Sequence, residues 1–101
     1  MAAGDVTQGR ARPAETDVLD LEPGDYCVKQ SRDGQRIAWV CVPNGHVGRL
    51  EGWTLTEHDD GTVTLSPSIL CHETTLFNEN DQRVTIPEWH GYLEQGVWRE
   101  V

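Results

Sequence analysis

From residue 25 to the end of the chain, apolar residues occur in short runs that alternate with polar positions or are bounded by turn residues. A period of two is typical of strands that bury one face, and glycine, proline and aspartate between such runs are typical of turns. No segment keeps a helical period for more than one turn. The predicted strands are 26–30, 36–42, 46–50, 53–56, 62–65, 69–77, 83–86, 89–93 and 97–99, and 46–56 could be one strand or two.

The turn residues predict how these strands are connected. Asp33-Gly34 lies between two strand-like runs and indicates a hairpin, because Asp-Gly tolerates positive φ. Asn44-Gly45 and Asp60-Gly61 predict further turns, and Pro67 is expected to interrupt a strand because proline has no N–H for a ladder. Short strands at such spacing predict an all-β fold, either a compact antiparallel sheet, a small sandwich or an open barrel of hairpins.

Residues 1–24 lack this pattern and are rich in alanine, glycine, threonine and charge, which predicts a flexible acidic arm ahead of a β domain at 25–101. Leu19 and Leu21 could dock against the domain. Between residues 15 and 25 there are five acidic residues and no basic one. This stretch is therefore a solvated tether or a contact surface for a cationic partner.

Composition narrows the classes of partner. The chain has 101 residues, enough for one domain, with 8 basic and 17 acidic residues and a net charge of −9. A negative surface repels phosphate and anionic lipid, so we expect no direct binding to nucleic acid or membrane and favour basic protein partners. The N-terminus lacks the layout of a signal peptide, and we expect a cytoplasmic protein whose three cysteines are free thiols or metal ligands.

Sulfur and imidazole ligands together suit tetrahedral zinc, and they make the most informative set of side chains. The candidate ligands are Cys41, His46, Cys71, His72 and His90. Cys41 and His46 flank a tight turn, but Asn44 stands where a Cys-x-x-Cys pair would have its second cysteine. Cys71 and His72 are neighbours, so a regular strand would let only one of them join a site. The alternative is that Cys71 is a small buried apolar residue and the histidines are ordinary surface groups.

Other constellations are weaker. A disulfide between Cys27 and Cys41 depends on the first hairpin: a two-residue loop sets Cys27 opposite Val40, and a three-residue loop sets it opposite Cys41. Ser66 and Ser68 could be nucleophiles with His72, but they lack a glycine-flanked elbow and are better read as turn hydroxyls. The acidic run 57–60 is interpreted as a solvated turn, and the tryptophans as packing residues. No catalytic residue is predicted.

Four segments carry a resemblance to a known family. They are Trp53-Thr-Leu-Thr, the run from Thr62 to Ile69 that contains Thr-Leu-Ser-Pro-Ser-Ile, Cys71-His72, and the stretch from Trp89 to Trp98 that begins Trp-His-Gly-Tyr-Leu. In these the chain resembles small uncharacterised proteins of tailed bacteriophages and prophages, over about residues 36–98. The resemblance implies phage origin and a small zinc-ribbon-like β domain with structural zinc, held by Cys41, Cys71, His72 and His90, with His46 in place of the ligand missing at Asn44.

Three functions follow as hypotheses. The first is a non-enzymatic phage accessory module that binds proteins, as a virion component or a binder of a host protein in the host bacterial cytoplasm. The second is an acidic inhibitor that imitates nucleic acid and blocks a host defence or DNA-binding protein. The third, ranked last, is a zinc-dependent hydrolase with His46, His72 and His90 around the metal and Glu73 or Glu88 as base.

Overall fold

The computed structural model describes residues 6–101, and its regular structure is β-strand apart from a short 3-10 helix at Val18–Asp20. The strands are β1 (Val6–Gln8), β2 (Arg10–Ala11), β3 (Asp25–Gln30), β4 (Arg36–Cys41), β5 (Val47–Leu50), β6 (Thr54–Glu57), β7 (Val63–Cys71), β8 (Thr74–Phe77), β9 (Arg83–Ile86), β10 (Trp89–Glu94) and β11 (Val97–Glu100). The predicted all-β class is confirmed.

The strands form three sheets. The larger sheet has the order β1-β11-β10-β7-β6 and the smaller sheet has the order β2-β3-β4-β5. Among residues 6–101, β8 pairs only with β9, in a two-stranded sheet that we call the ribbon. All strand pairs are antiparallel except β2 with β3. The hairpin predicted at Asp33-Gly34 connects β3 to β4, and the turns predicted at Asn44-Gly45 and Asp60-Gly61 connect β4 to β5 and β6 to β7.

The core lies between the two main sheets, because each sheet contributes its inward side chains to one apolar cluster. The smaller sheet and the turn after β4 contribute Tyr26, Ala38, Val40, Val42 and Leu50. The larger sheet contributes Val63, Leu65, Ile69, Trp89, Leu93 and Trp98. Alternate residues of β10 are buried, which is the pattern of a strand with one solvent-exposed face. The molecule is therefore a small two-sheet sandwich with a protruding ribbon.

Two tryptophans occupy the centre of this core. The rings of Trp89 and Trp98 meet edge to face with centroids 5.5 Å apart. The Trp98 Nε1–H donates to the carbonyl of Gly24, 2.9 Å away, so the polar atom of a fully buried ring is satisfied by the chain that leads into the smaller sheet. Gly91 lies between them in sequence, and its bare backbone gives room to the Trp89 ring.

The course of strand β7 differs from the predicted break at Pro67. Pro67 was expected to interrupt the chain, yet β7 runs through it from Val63 to Cys71. The ladder to β10 is irregular here: Leu65 pairs with Leu93 and Ile69 with Gly91, so three residues of β7 oppose one of β10. Proline is tolerated at such a bulge because no ladder bond to β10 is required of it.

The N-terminal segment also differs from the predicted flexible arm. Residues 1–5 lie outside the described part of the chain, but from Val6 onward the segment pairs first with β11 and then with β3. It changes sheets at Gly9, whose N–H donates to the Gly96 carbonyl at 2.8 Å; a Cβ at Gly9 would lie 2.6 Å from that oxygen. Leu21 docks as predicted and is buried, whereas Leu19 is 86% exposed.

A buried carboxylate explains why this acidic segment adheres to an acidic domain. Asp25 accepts two hydrogen bonds from Arg10, one from Arg12 at 2.7 Å and one from the backbone N–H of Glu22 at 3.0 Å. The two arginines follow β1 in sequence, so the segment that appeared acidic overall is held by its own cations. Burial acts to raise the pKa of Asp25, but the hydrogen bonds from Arg10, Glu22 and Arg12 outweigh it and hold that pKa below its ordinary value of 3.8.

The packing around Gly91 predicts a large effect of a single methyl group. In Gly91→Ala the new Cβ would collide with the Arg99 backbone carbonyl and lie 2.6 Å from Trp89 Cη2. Neither can move freely, so we expect a loss of about 3 kcal/mol in the free energy of unfolding, measured by urea denaturation. Gly48→Ala is the matched control, because its Cβ meets nothing closer than 3.7 Å. Equal effects of the two substitutions would contradict the packing.

The carboxylate of Asp25 predicts the acid sensitivity of the fold. We expect Asp25→Asn to cost about 2 to 3 kcal/mol at neutral pH, because two arginines lose their partner. Since the folded pKa of Asp25 is below 3.8, this contribution is complete above that value and disappears as the pH falls through the folded pKa. Urea unfolding from pH 7 to pH 2 should show the two proteins converging in acid; a constant difference would contradict the assignment.

Candidate functional site

The predicted metal ligands are distributed over different parts of the fold. Within residues 6–101 no group of three or more histidine, cysteine, aspartate or glutamate side chains is placed to hold a metal ion. His72 is exposed and lies 3.9 Å from the carboxylate of Glu88, whereas Cys71 packs against the main core. The two neighbours thus have different surroundings, as strand alternation predicts.

The remaining three candidates have protein partners of their own. Cys41 is buried with Cys27 and Leu21 in a second small apolar cluster. His46 donates from Nε2 to the Pro87 carbonyl at 2.8 Å, and His90 Nε2 lies 3.0 Å from the hydroxyl of Ser68. Zinc binding stays a prediction from the sequence.

The cysteines share one electrostatic property. Burial raises the pKa of the Cys27, Cys41 and Cys71 thiols, and Asp25 raises that of Cys41 further. A raised pKa disfavours the thiolate, which is the reactive and metal-binding form. The first hairpin sets Cys27 opposite Trp39 across a loop of residues 31–35, so neither of the loop lengths considered applies, and the three cysteines are free.

The structure places a different histidine beside the candidate serine nucleophiles. Ser68 lies beside His90 rather than His72. Among residues 6–101 the His90 imidazole makes no second hydrogen bond that would orient it, so the pair lacks the third group of a nucleophile–base–acid arrangement. The acidic run 57–60 behaves as a solvated turn: Glu57 pairs with Arg36, and Asp60 accepts from the backbone of Thr62.

One cleft between the sheets has a volume of about 220 Å³. Tyr26, Arg36, Glu57 and His58 are among its lining residues. Its charged groups are already satisfied, because Arg36 donates to Glu57 and His58 Nε2 lies 2.7 Å from Thr64 Oγ1. Arg36, Glu57 and His58 thus each have a hydrogen-bond partner within the protein.

The ribbon groups three exposed apolar side chains, Leu76, Phe77 and Val84, on one element. Every residue of β8 and β9 is exposed except Ile86, which is half-buried. Phe77 is 70% exposed and Leu76 is 50% exposed. An isolated two-stranded hairpin is marginally stable in water, and a strand sequence with alternating apolar residues is typical of a sheet that buries one face.

The tip of the ribbon is nevertheless well formed. The Asn78 side-chain oxygen accepts from the backbone N–H groups of Asn80 and Gln82, both at 2.9 Å, and Asn78 N–H donates to the Gln82 carbonyl. Asp81 takes the left-handed conformation with φ 59°, which aspartate tolerates in turns. The local sequence thus builds the hairpin end without help from the rest of the fold.

The ribbon continues the central hairpin of the larger sheet. Trp89 pairs with Cys71, and three residues further along each strand Ile86 pairs with Thr74, so both ladders have one register. At the interruption His72 lies opposite Glu88, which explains their contact. Because side chains alternate between the two faces of a pleated ladder, every second pair lies on the same face. We call the pairs on the outer face the outer stripe: Leu70/His90, His72/Glu88, Thr74/Ile86 and Leu76/Val84.

The root of the ribbon is fixed by the turn between β4 and β5. The Pro87 carbonyl accepts from Asn44 Nδ2 at 2.7 Å and from His46 Nε2 at 2.8 Å. His46 is only 8% exposed. His46, a candidate ligand, and Asn44, which stands where a second cysteine is missing, therefore hold the point where the chain returns from the ribbon to the larger sheet.

The charges of the surface are uneven. Five of the eight cations form ion pairs with carboxylates: Arg10, Arg12, Arg36, Arg49 and Arg99. Lys29 donates instead to the carbonyls of Ala14 and Thr16. Most carboxylates of residues 6–101 have no such basic partner, so the outward field of the protein is negative.

Comparisons with protein-family models, with curated proteins and with solved structures found no match. No helix among residues 6–101 is long and apolar enough to cross a bilayer. The interpretation of the site therefore depends on the geometry of the chain itself.

The contact at Pro87 predicts that His46 controls the order of the ribbon. In His46→Ala the carbonyl loses the more buried of its two donors, which costs about 1 to 2 kcal/mol. We expect faster amide hydrogen exchange in β8 and β9 and unchanged exchange in β3. His58→Ala is the control, since His58 contacts Thr64 in the body. Equal exchange in the ribbon of the two variants would contradict the role of His46.

Proposed function

We propose that this protein is a non-enzymatic protein-binding β module, an accessory protein of a bacteriophage that is a virion component or binds a host protein. The ribbon carries the proposal: it is a well-turned hairpin with exposed Leu76, Phe77 and Val84. Apolar residues scattered singly over a surface are normal, and the grouping of three on one element is what supports an interaction site here. Phage origin and action in the host bacterial cytoplasm come from the sequence resemblance.

The sandwich supplies the scaffold for this function. The ribbon shares the register of β7 and β10, the pair that contains Trp89 and Ile69 in the core. A binding element on a rigid ladder loses less conformational entropy on association than a free loop. The contacts of Asn44 and His46 with Pro87 add a second attachment at the root.

The second candidate is an acidic inhibitor that imitates nucleic acid. The pairing of five cations with carboxylates favours it, because the remaining carboxylates then dominate the surface. Its binding to a basic DNA-binding protein would weaken steeply with salt. Binding through the ribbon would retain an apolar component at high salt, and this difference separates the two candidates.

The proposal predicts a partner that depends on the ribbon. The experiment immobilises three proteins: the wild type, a Leu76→Ser/Val84→Ser variant and a Leu19→Ser control. Each is exposed to extract of phage-infected host cells. Every protein that binds is then purified, and its affinity for each of the three immobilised proteins is measured. Leu19 is exposed and apolar but lies outside the ribbon. We expect at least about tenfold weaker binding of the double variant, since two contacts of an apolar hot spot are lost.

Two results would overturn the proposed function. One is the absence of any purified partner that binds wild-type protein. The other is a partner that binds equally to the wild type and to a variant in which a short turn replaces residues 74–86, and whose binding is abolished by salt alone. That result would favour the nucleic-acid mimic. Near-ultraviolet circular dichroism of the tryptophans would show that the body of each variant is folded.

A further inference from the structure

The ribbon is too small to be a docking surface on one face alone. Four residues of each strand cover a projected area of roughly 140 Å² per face, from a rise of about 3.4 Å per residue and two strands. A stable interface buries roughly 800 Å² on each partner. An interface of that size would enclose the ribbon on both faces and extend along the outer stripe onto the larger sheet, where Leu70 and Tyr92 are 46% and 41% exposed.

The charges around the ribbon have a definite arrangement. Glu73 and Glu88 lie at the root and Glu79 and Asp81 at the tip, on either side of the apolar pairs, and Arg83 is the only lysine or arginine between residues 72 and 90. Root and tip are separated by roughly 20 Å at the rise of a β-strand. The apolar face is thus bracketed by carboxylates at both ends.

This arrangement disfavours a second copy of the chain as the occupant. Two ribbons in contact would bring together eight carboxylates and two arginines, on proteins that each carry a net charge of −9. Like charges brought into one interface cost free energy, whereas a partner of opposite sign gains association rate and specificity. The occupant that fits both features is a different protein with apolar residues between two basic ends.

On the basis of the proposed function, we infer that the ribbon inserts into an apolar groove of a different protein whose lysine and arginine side chains pair with Glu73 and Glu88 at the root and with Glu79 and Asp81 at the tip. Leu76 and Val84 fill the groove on the side of the outer stripe. Phe77, which lies opposite Arg83 on the other side of the ladder, fills it from the second face.

The experiment uses a random library of disulfide-constrained peptides as the probe. The library is selected on the full-length protein, and peptides that also bind the Leu76→Ser/Val84→Ser variant are removed. We expect the remaining peptides to be enriched in lysine and arginine together with aliphatic or aromatic residues. Their affinity should fall about fivefold for Glu79→Gln/Asp81→Asn at low salt, a change within the range of two exposed ion pairs, and the loss should shrink at 0.5 M salt.

A matched control separates local from overall charge. Glu15→Gln/Asp20→Asn changes the net charge by the same two units at exposed carboxylates outside the ribbon. Peptide affinity should be unchanged in this variant. Equal losses in both variants would show that only the overall field matters and would overturn the inferred pairing at the tip.

The remaining outcomes are also decisive. Ribbon-dependent peptides without basic enrichment, or no ribbon-dependent peptide, would overturn the inference; the proposed function would still stand if the extract experiment yields a partner. Sedimentation equilibrium tests the other occupant: a wild-type dimer that dissociates in Leu76→Ser/Val84→Ser would show that a second copy covers the ribbon. A wild-type monomer together with basic ribbon-dependent peptides supports the inference.

Discussion

The antiparallel pairing of β7 with β10 is the constraint on which the rest of the structure depends. On its inner side it presents Ile69, Trp89 and Leu93 to the smaller sheet. Its bulge accommodates Pro67, and its register continues beyond Cys71 and Trp89 into the ribbon. One ladder therefore supports the aromatic core at one end and the candidate binding surface at the other, and the position of the surface is set by the same hydrogen bonds that close the core.

Charges are also distributed differently in the sandwich and in the ribbon. Inside the fold, cations are used for structure: Arg10 and Arg12 neutralise Asp25 and attach the N-terminal strands to β3. Outside it, the ribbon retains carboxylates at its root and tip with a single arginine. The net charge of −9 thus has a defined distribution, with compensation where a carboxylate is buried and an excess where the chain projects into solvent.

Much of the fold could be predicted from local pattern. Asp-Gly and Asn-Gly turns, short β-rich runs and the aromatic residues of the last hairpin predicted an all-β protein, and the hairpins they indicated are present. The predicted arm differed because its pairing depends on partners distant in sequence, with Gly9 bonded to Gly96 and Arg12 to Asp25. A charge count over 15–25 could not show that arginines at 10 and 12 would neutralise the carboxylate at 25.

The candidate site shows the same division. The sequence by itself determined the strand-forming runs, the turns, the acidic balance and the alternation of Val84 and Ile86 with polar residues, because these depend on backbone sterics and on near neighbours. Only the tertiary structure decided that residues 74–86 leave the sandwich while 63–71 and 89–94 stay within it. Alternating apolar and polar residues occur both in strands that are buried by their own chain and in strands that project from it. Which of the two occurs depends on whether another sheet lies opposite, and the smaller sheet covers β7 and β10 but not β8 and β9.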